Sequence, residues 1–273
     1  MSIANMSAAP IGIFDSGIGG LTVARAIKKL LPNESFIYFG DTEHMPYGDK
    51  SAEAIKHFCL KISEMLVNKG CKMLVIACNT ASAAAFKEVS KEFHDIPVVN
   101  VIDPVVTYVA KNKGHHKIGV IGTKRTIGSN VYQKKLKQKI RNAQVTAIAT
   151  PLLAPMIEEG FFNNKISQAV INSYLDKPRI KDVDSIILGC THYPLIKEEI
   201  RNYYGTRVEI IDSSQIVAKN VYDILAKNHL LNIGKKKAEY HFYVSDFTPS
   251  FQQTTKLFFK EKIKLEQLKL WGE

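Results

Sequence analysis

Short, continuously apolar runs alternate along the chain with longer segments whose apolar positions recur every three to four residues. The runs at 11–14, 36–39, 73–77, 97–102, 118–121, 145–149, 185–188 and 208–211 predict strands. A strand with little polar alternation is buried on both faces, as in parallel sheets covered by helices. After the first run, Val23, Ala26, Ile27, Leu30 and Leu31 predict one face of a helix that Pro32 ends. Over 51–69, Ala54, Phe58, Ile62, Met65 and Leu66 predict the buried face of a long helix, with Gly70 as its cap. This alternation predicts an α/β fold of open, mostly parallel sheets flanked by crossover helices.

The pattern repeats loosely within the chain. Leu74-Val75-Ile76-Ala77 runs into Cys78-Asn79-Thr80, and Ile186-Ile187-Leu188-Gly189 runs into Cys190-Thr191-His192. Two similar lobes would bring both strand ends to one cleft, and open α/β sheets bind ligands outside the carboxyl ends of their strands. No low-complexity linker parts the halves, so the lobes are expected to pack closely.

Composition narrows the class. With 273 residues, 45% of them apolar, the chain can fold as one large domain or two small ones, and disorder is not expected. No run reaches the roughly 18 apolar residues of a membrane span. Residues 1–10 lack the basic start and apolar stretch of a signal peptide, so a cytoplasmic protein is expected. Cys59, Cys71, Cys78 and Cys190 should then be free thiols. None forms a C-x-x-C pair, so no structural zinc site is expected. The formal charge of +11 suits a solvated basic surface or a field that attracts an anionic substrate. Its clusters are short: Lys134-Lys135, Lys235-Lys236-Lys237 and the tail from Lys256 to Lys269. Aromatics are not interleaved with them, so a nucleic-acid partner is not expected.

The chemistry gathers at the two strand ends. Either cysteine alone reads as a small apolar core residue. Together, each beside hydroxyl, amide or imidazole groups, they read as reachable, polarisable thiols. A free thiol has a pKa of about 8.5, so roughly a tenth is ionised at pH 7.5, at a cost of about 1.4 kcal/mol. A helix N-terminus, or His192 two residues from Cys190, could offset that cost. A cysteine–histidine pair commonly marks a thiol hydrolase, but that reading leaves the second cysteine unexplained. Inverting an α-carbon uses both: one face loses a proton to a thiolate while a thiol on the other face supplies one.

Around the thiols, the loop Asp15-Ser16-Gly17-Ile18-Gly19-Gly20 sits where its backbone amides can hold a carboxylate at a helix N-terminus. It departs from the dinucleotide fingerprint, whose third glycine would fall at Thr22. Asp15 and Ser16 are candidates for substrate ammonium and carboxylate contacts, or for helix capping. Pro46-Tyr47-Gly48 reads as a turn whose backbone and tyrosine hydroxyl could hold a substrate, with Asp41 orienting a neighbouring polar group. Glu158 and Glu159, before Gly160, read as a helix end or as part of the site.

These residues form ordered motifs: IGIFDSGIGGLTV at 11–23, GDT at 40–42 with PYG at 46–48, ACNTAS at 77–82 and GCTHYPL at 189–195. TKRTI at 123–127 and LLAPMIEEG at 152–160 match more loosely. The chain resembles bacterial glutamate racemases over nearly its whole length. The resemblance implies two similar α/β lobes with the active site in the cleft between them. It divides the chain into a discontinuous lobe of 1–102 and 212–273 and a second lobe of 103–211. It implies catalysis by Cys78 and Cys190 without pyridoxal phosphate or metal, assisted by Asp15 and His192 on their respective sides. Substrate contacts follow for Asp15, Ser16, Tyr47, Gly48, Asn79, Thr80, Thr191 and His192. Asp41 and Glu158 become supporting groups behind these, and Thr123 and Thr126 further candidates to line the cleft. It also implies a homodimer, glutamate as substrate, and a role in supplying D-glutamate for peptidoglycan. The alternatives are a racemase of aspartate or a hydantoin, a non-catalytic binding module, and a thiol hydrolase.

Overall fold

The computed structural model describes residues 6–112, 114, 116–234 and 237–272. Residues 1–5 of the expected leaderless start, and Lys235 and Lys236 of the basic cluster, lie outside the described residues. The strands are β1 (Ile11–Asp15), β2 (Phe36–Gly40), β3 (Met73–Ile76), β4 (Val98–Asn100), β5 (Lys117–Gly122), β6 (Gln144–Ala149), β7 (Ser185–Gly189), β8 (Glu209–Ile211), β9 (Tyr240–Val244) and β10 (Glu266–Gln267).

Two sheets form from these, with every pairing parallel. One has the order β10-β9-β2-β1-β3-β4 and the other β6-β5-β7-β8. The first sheet therefore takes strands from both ends of the chain, and the second is built from the middle. β1, β2, β3 and β7 are buried at every position, which explains why they read as unbroken apolar runs. One hydrophobic core runs through both sheets and the helices between them, and a smaller one covers the outer face of the first sheet. Helix Ser213–Lys227 packs on both Leu21–Leu30 and Asp103–Lys111, so the lobes share a firm seam.

The local expectations hold with three corrections. The helix Ala52–Asn68 buries Ile55, Cys59, Ile62, Ser63 and Leu66, while Ala54, Phe58 and Met65 lie at the margin. The inward stripe is thus rotated by one position from the predicted one. The small side chains Cys59 and Ser63 allow close packing on the helix Asn79–Glu92. Leu30 ends its helix 43% exposed rather than on the buried face. The tail after Lys256, a basic cluster assigned to the first lobe by resemblance but to no element, completes the helix Pro249–Phe259 and then supplies β10. β10, the edge strand, and β9 beside it escaped the sequence pattern because His241 and both β10 residues face solvent.

The carboxyl ends of β1, β2, β3, β5 and β7 open on one cleft. Asp15, Asp41, Cys78, Thr123 and Cys190 stand at or just beyond those ends.

Candidate active site

Cys78 and Cys190 line one cavity of about 210 Å³ between the two sheets. That is below the size of pockets for drug-like ligands and suits a small metabolite. A larger cavity of about 610 Å³ lies between the helices Asp103–Lys111 and Ser213–Lys227. It holds no cysteine, so chemistry rather than size selects the smaller one.

On the first lobe, Cys78 is the N-cap of helix Asn79–Glu92, and its sulfur accepts from the Ala81 backbone N–H at 3.4 Å. Its S–H reaches Ser16 Oγ at 3.6 Å. Burial pushes the Cys78 thiol up to about 12, and the negative charge of Asp15 adds to the rise. Asp15 lies behind the cavity wall, 1% exposed, and its Oδ2 accepts from the Gly20 N–H at 2.6 Å. Burial raises the Asp15 carboxyl above its ordinary value, and the positive charge of His192 and the amides of Gly20 and Ser16 limit the rise. Asp15 Oδ1 and Asn79 Nδ2 are buried with no partner among the described residues. Orphaned atoms of this kind beside a cavity suit a ligand's ammonium and carboxylate.

On the second lobe, His192 sits between two groups. Its Nδ1 lies 3.5 Å from Cys190 Sγ, and its Nε2 lies 2.7 Å from Glu158 Oε1. Burial alone would lower the His192 pKa, but the charges and hydrogen bonds of Cys190 and Glu158 outweigh it and hold the ring well above its ordinary value. Glu158, expected behind the first layer of contacts, lines the cavity itself. Glu159 is exposed at the helix end.

The Gly-rich loop crosses from the first lobe onto the second. Thr22 Oγ1 donates to the Thr191 carbonyl at 3.0 Å. A Cβ on Gly19 would come within 2.4 Å of two atoms of the His192 ring, so only glycine lets the loop lie there. Tyr38 supports the loop from beneath, donating to the Gly17 carbonyl at 2.8 Å.

Three threonines also join the lobes. Thr80 Oγ1 lies 2.9 Å from Thr123 Oγ1 and 3.1 Å from Thr126 Oγ1. Thr80 and Thr123 line the cavity, whereas Thr126 is buried behind them and does not. Ser16, Gly48 and Thr191 line it as anticipated. Tyr47 lines it too, but its hydroxyl donates to Asp41 at 2.6 Å, so its ring rather than a free hydroxyl donor walls the cavity.

The sequence did not point to Tyr132, whose hydroxyl donates to Asn79 Oδ1 at 2.7 Å and so fixes which end of the amide is left unpartnered. It also missed Met45, Ala154 and Pro155 as lining residues. The last two sit in the LLAPMIEEG segment, and no local signal marks Tyr132. Among the described residues no group of three or more His, Cys, Asp and Glu is arranged to hold a metal, and no helix is long and apolar enough to cross a membrane.

The Asp/Glu/Hydantoin racemase family model matches residues 16–221, a stretch that includes both cysteines. A glutamate racemase of Chlorobaculum tepidum is 40% identical over 252 residues, covering 92% of this chain and 93% of the relative. The crystal structure of a Francisella tularensis glutamate racemase in complex with D-glutamate superposes with a TM-score of 0.91 at 40% identity, over 97% of this chain and 98% of that one. A Bacillus anthracis glutamate racemase structure follows with a TM-score of 0.89 at 35% identity, covering 95% of this chain and 97% of that one. Matching motifs, matching fold and near-complete coverage agree: the chain belongs to the Asp/Glu/hydantoin racemase family and, within it, to the glutamate racemases.

Proposed function

We propose that this chain interconverts L- and D-glutamate by passing the α-proton through two thiols, Cys78 and Cys190, on opposite faces of the substrate. The supporting observation is that both sulfurs line one small cavity, each with its own charged neighbour, Asp15 on one side and Glu158-bound His192 on the other. Racemisation needs a base on one face and an acid on the other.

At rest Cys78 is a neutral thiol and Cys190 stands beside a protonated His192, so Cys190 is assigned as the base towards L-glutamate. That arrangement is set for L-glutamate. Cys190 removes the α-proton, Cys78 delivers its own to the opposite face, and D-glutamate leaves. The two thiols have then exchanged protonation states, and D-glutamate runs the same path backwards from Cys78. The α-proton is far less acidic than a thiol, so negative charge developing at the carbon must be stabilised. Asn79, Thr80 and Thr191 are assigned to the substrate carboxylates and Ser16 to its ammonium, while Asp15, expected to touch the substrate, is assigned to act on Cys78 from behind the wall. The small cavity excludes water around them. No cofactor takes part in these steps.

The same reading places the activity in the cytoplasm, supplying D-glutamate for peptidoglycan, and makes the working form a homodimer. Residues 1–102 with 212–273, and 103–211, are taken as its two lobes. Circular dichroism of L-glutamate with the purified protein in D2O, followed by NMR of the α-proton, tests the central claim. Decay of the optical signal with deuterium entering the α-position supports it. A constant signal from folded, reduced protein overturns it, and faster turnover of aspartate would redirect the substrate.

A further inference from the structure

Asp41, at the carboxyl end of β2, is completely buried and does not line the cavity. Four side chains converge on it. Its Oδ2 accepts from the Tyr47 hydroxyl at 2.6 Å, and His44 Nδ1 lies 3.0 and 3.1 Å from its two oxygens. Its Oδ1 accepts from Ser245 Oγ at 2.9 Å and from the Trp271 indole N–H at 2.8 Å. Tyr47 and His44 belong to the turn that walls the cavity. Ser245 follows β9, and Trp271 lies near the end of the chain.

The tail reaches this point along a defined path. β10 pairs with β9, and the Leu268 N–H donates to the Val244 carbonyl at 2.9 Å. The Trp271 ring then meets His44 edge-on at 4.6 Å and Phe58 at 5.3 Å. Phe58 stacks on His44 at 4.0 Å and lies 5.7 Å from the Tyr47 ring. The turn is thus held from behind twice, by hydrogen bonds through Asp41 and by ring packing.

We propose that Trp271 is a positioning residue for the substrate cavity: through Asp41 it fixes the Tyr47 turn against which glutamate is bound. The proposal rests on the glutamate reading above. A carboxylate only accepts, so its donors decide where it sits. A buried polar group stripped of a partner is costly and moves to find another. If Trp271 lets go, Asp41 re-forms its bonds among Ser245, His44 and Tyr47, and the turn shifts with it. Neither Trp271 nor Asp41 touches a thiol, so the effect falls on substrate binding rather than on proton transfer.

Trp271 is the chain's single tryptophan, so 15N-labelled protein gives one indole N–H signal. In the wild type this signal exchanges slowly with solvent, moves on Asp41→Asn, and moves again as L-glutamate is titrated in. Trp271→Phe keeps a ring and removes the donor. It raises KM for both enantiomers about three- to tenfold, with kcat within about twofold of wild type. Trp271→Ala raises KM further, while circular dichroism shows both variants folded. Folded variants with wild-type KM overturn the proposal, as does a fall in kcat at unchanged KM. An indole signal that exchanges freely or ignores Asp41→Asn overturns it without any assay of turnover. If wild-type protein fails to turn over glutamate, the functional reading fails, and the indole signal still decides whether Trp271 holds Asp41.

Discussion

Glu158 Oε1 lies 2.7 Å from His192 Nε2, so the histidine that faces Cys190 with one nitrogen is held by a carboxylate through the other. The carboxylate fixes the ring's orientation and favours its charged form. Glu158→Gln keeps the size of the side chain and removes its charge. Turnover of L-glutamate should fall roughly ten- to a hundredfold, the range for losing a charged hydrogen bond. Unchanged kcat in both directions would show that Glu158 only packs.

The same pair sets a pH dependence of stability. The folded His192 pKa is raised above its ordinary value. The proton is therefore bound more tightly in the folded state. The stabilisation is fully present below the unfolded pKa of about 6.5 and is lost as pH rises through the folded pKa. Wild type should exceed Glu158→Gln in Tm most below the unfolded pKa of about 6.5, and the gap should shrink as pH rises through the raised folded pKa. A gap that widens with pH would reverse the assignment of His192 as protonated.

The two thiols differ in their neighbours, and alkylation should reveal it. Cys78 is pushed up to about 12 and stays a thiol, whereas Cys190 faces a protonated imidazole. Iodoacetamide at neutral pH should modify Cys190 first, and glutamate should protect it. Peptide mapping that finds Cys78 labelled first would contradict the resting state proposed above.

Replacing either thiol should remove one half of the proton relay. Cys78→Ser and Cys190→Ser should each lower racemisation by about a hundredfold or more. The residual exchange is the sharper measurement. In D2O, Cys78→Ser should still wash deuterium into L-glutamate faster than into D-glutamate, and Cys190→Ser should do the reverse. Near-normal racemisation by either variant would end the two-base scheme.

Gly19 tests the contact between lobes. Its missing side chain leaves room for the His192 ring, which an added Cβ would meet at 2.4 Å. Both partners are held, Gly19 by its loop and His192 by Glu158, so neither yields cheaply. Gly19→Ala should lower kcat/KM at least tenfold, roughly 1.4 kcal/mol in the transition state. Far-UV circular dichroism should stay unchanged, and wild-type kinetics would show that the ring moves aside freely.

Most of this architecture was legible because its central strands are buried on both faces, which leaves unbroken apolar runs ending at Cys78 and Cys190. The cysteines, His192 and the Gly-rich loop declared themselves by residue type and local spacing. What stayed hidden depends on contacts between distant parts of the chain. Tyr132 meets Asn79 from 53 positions away, and Trp271 meets Asp41 from 230. β10 is the edge strand of the first sheet and β9 lies next to it, and such half-exposed strands carry weak patterning. The face of helix Ala52–Asn68 was misjudged because Cys59 and Ser63 are small, and bulkier neighbours such as Phe58 and Met65 drew the apolar stripe towards themselves.

The placement of β9 beside β2 has a consequence on the ribosome. The second sheet is complete once residue 211 has been made, but the apolar edge of β2 waits for residues 240–244 to cover it. At the usual pace of synthesis that interval lasts a few seconds. Through it the nascent chain carries an open edge of Phe36-Ile37-Tyr38-Phe39, the kind of surface that recruits other strands. Chains truncated between 211 and 240 should therefore aggregate, and chaperones should find their main substrate in that window of translation.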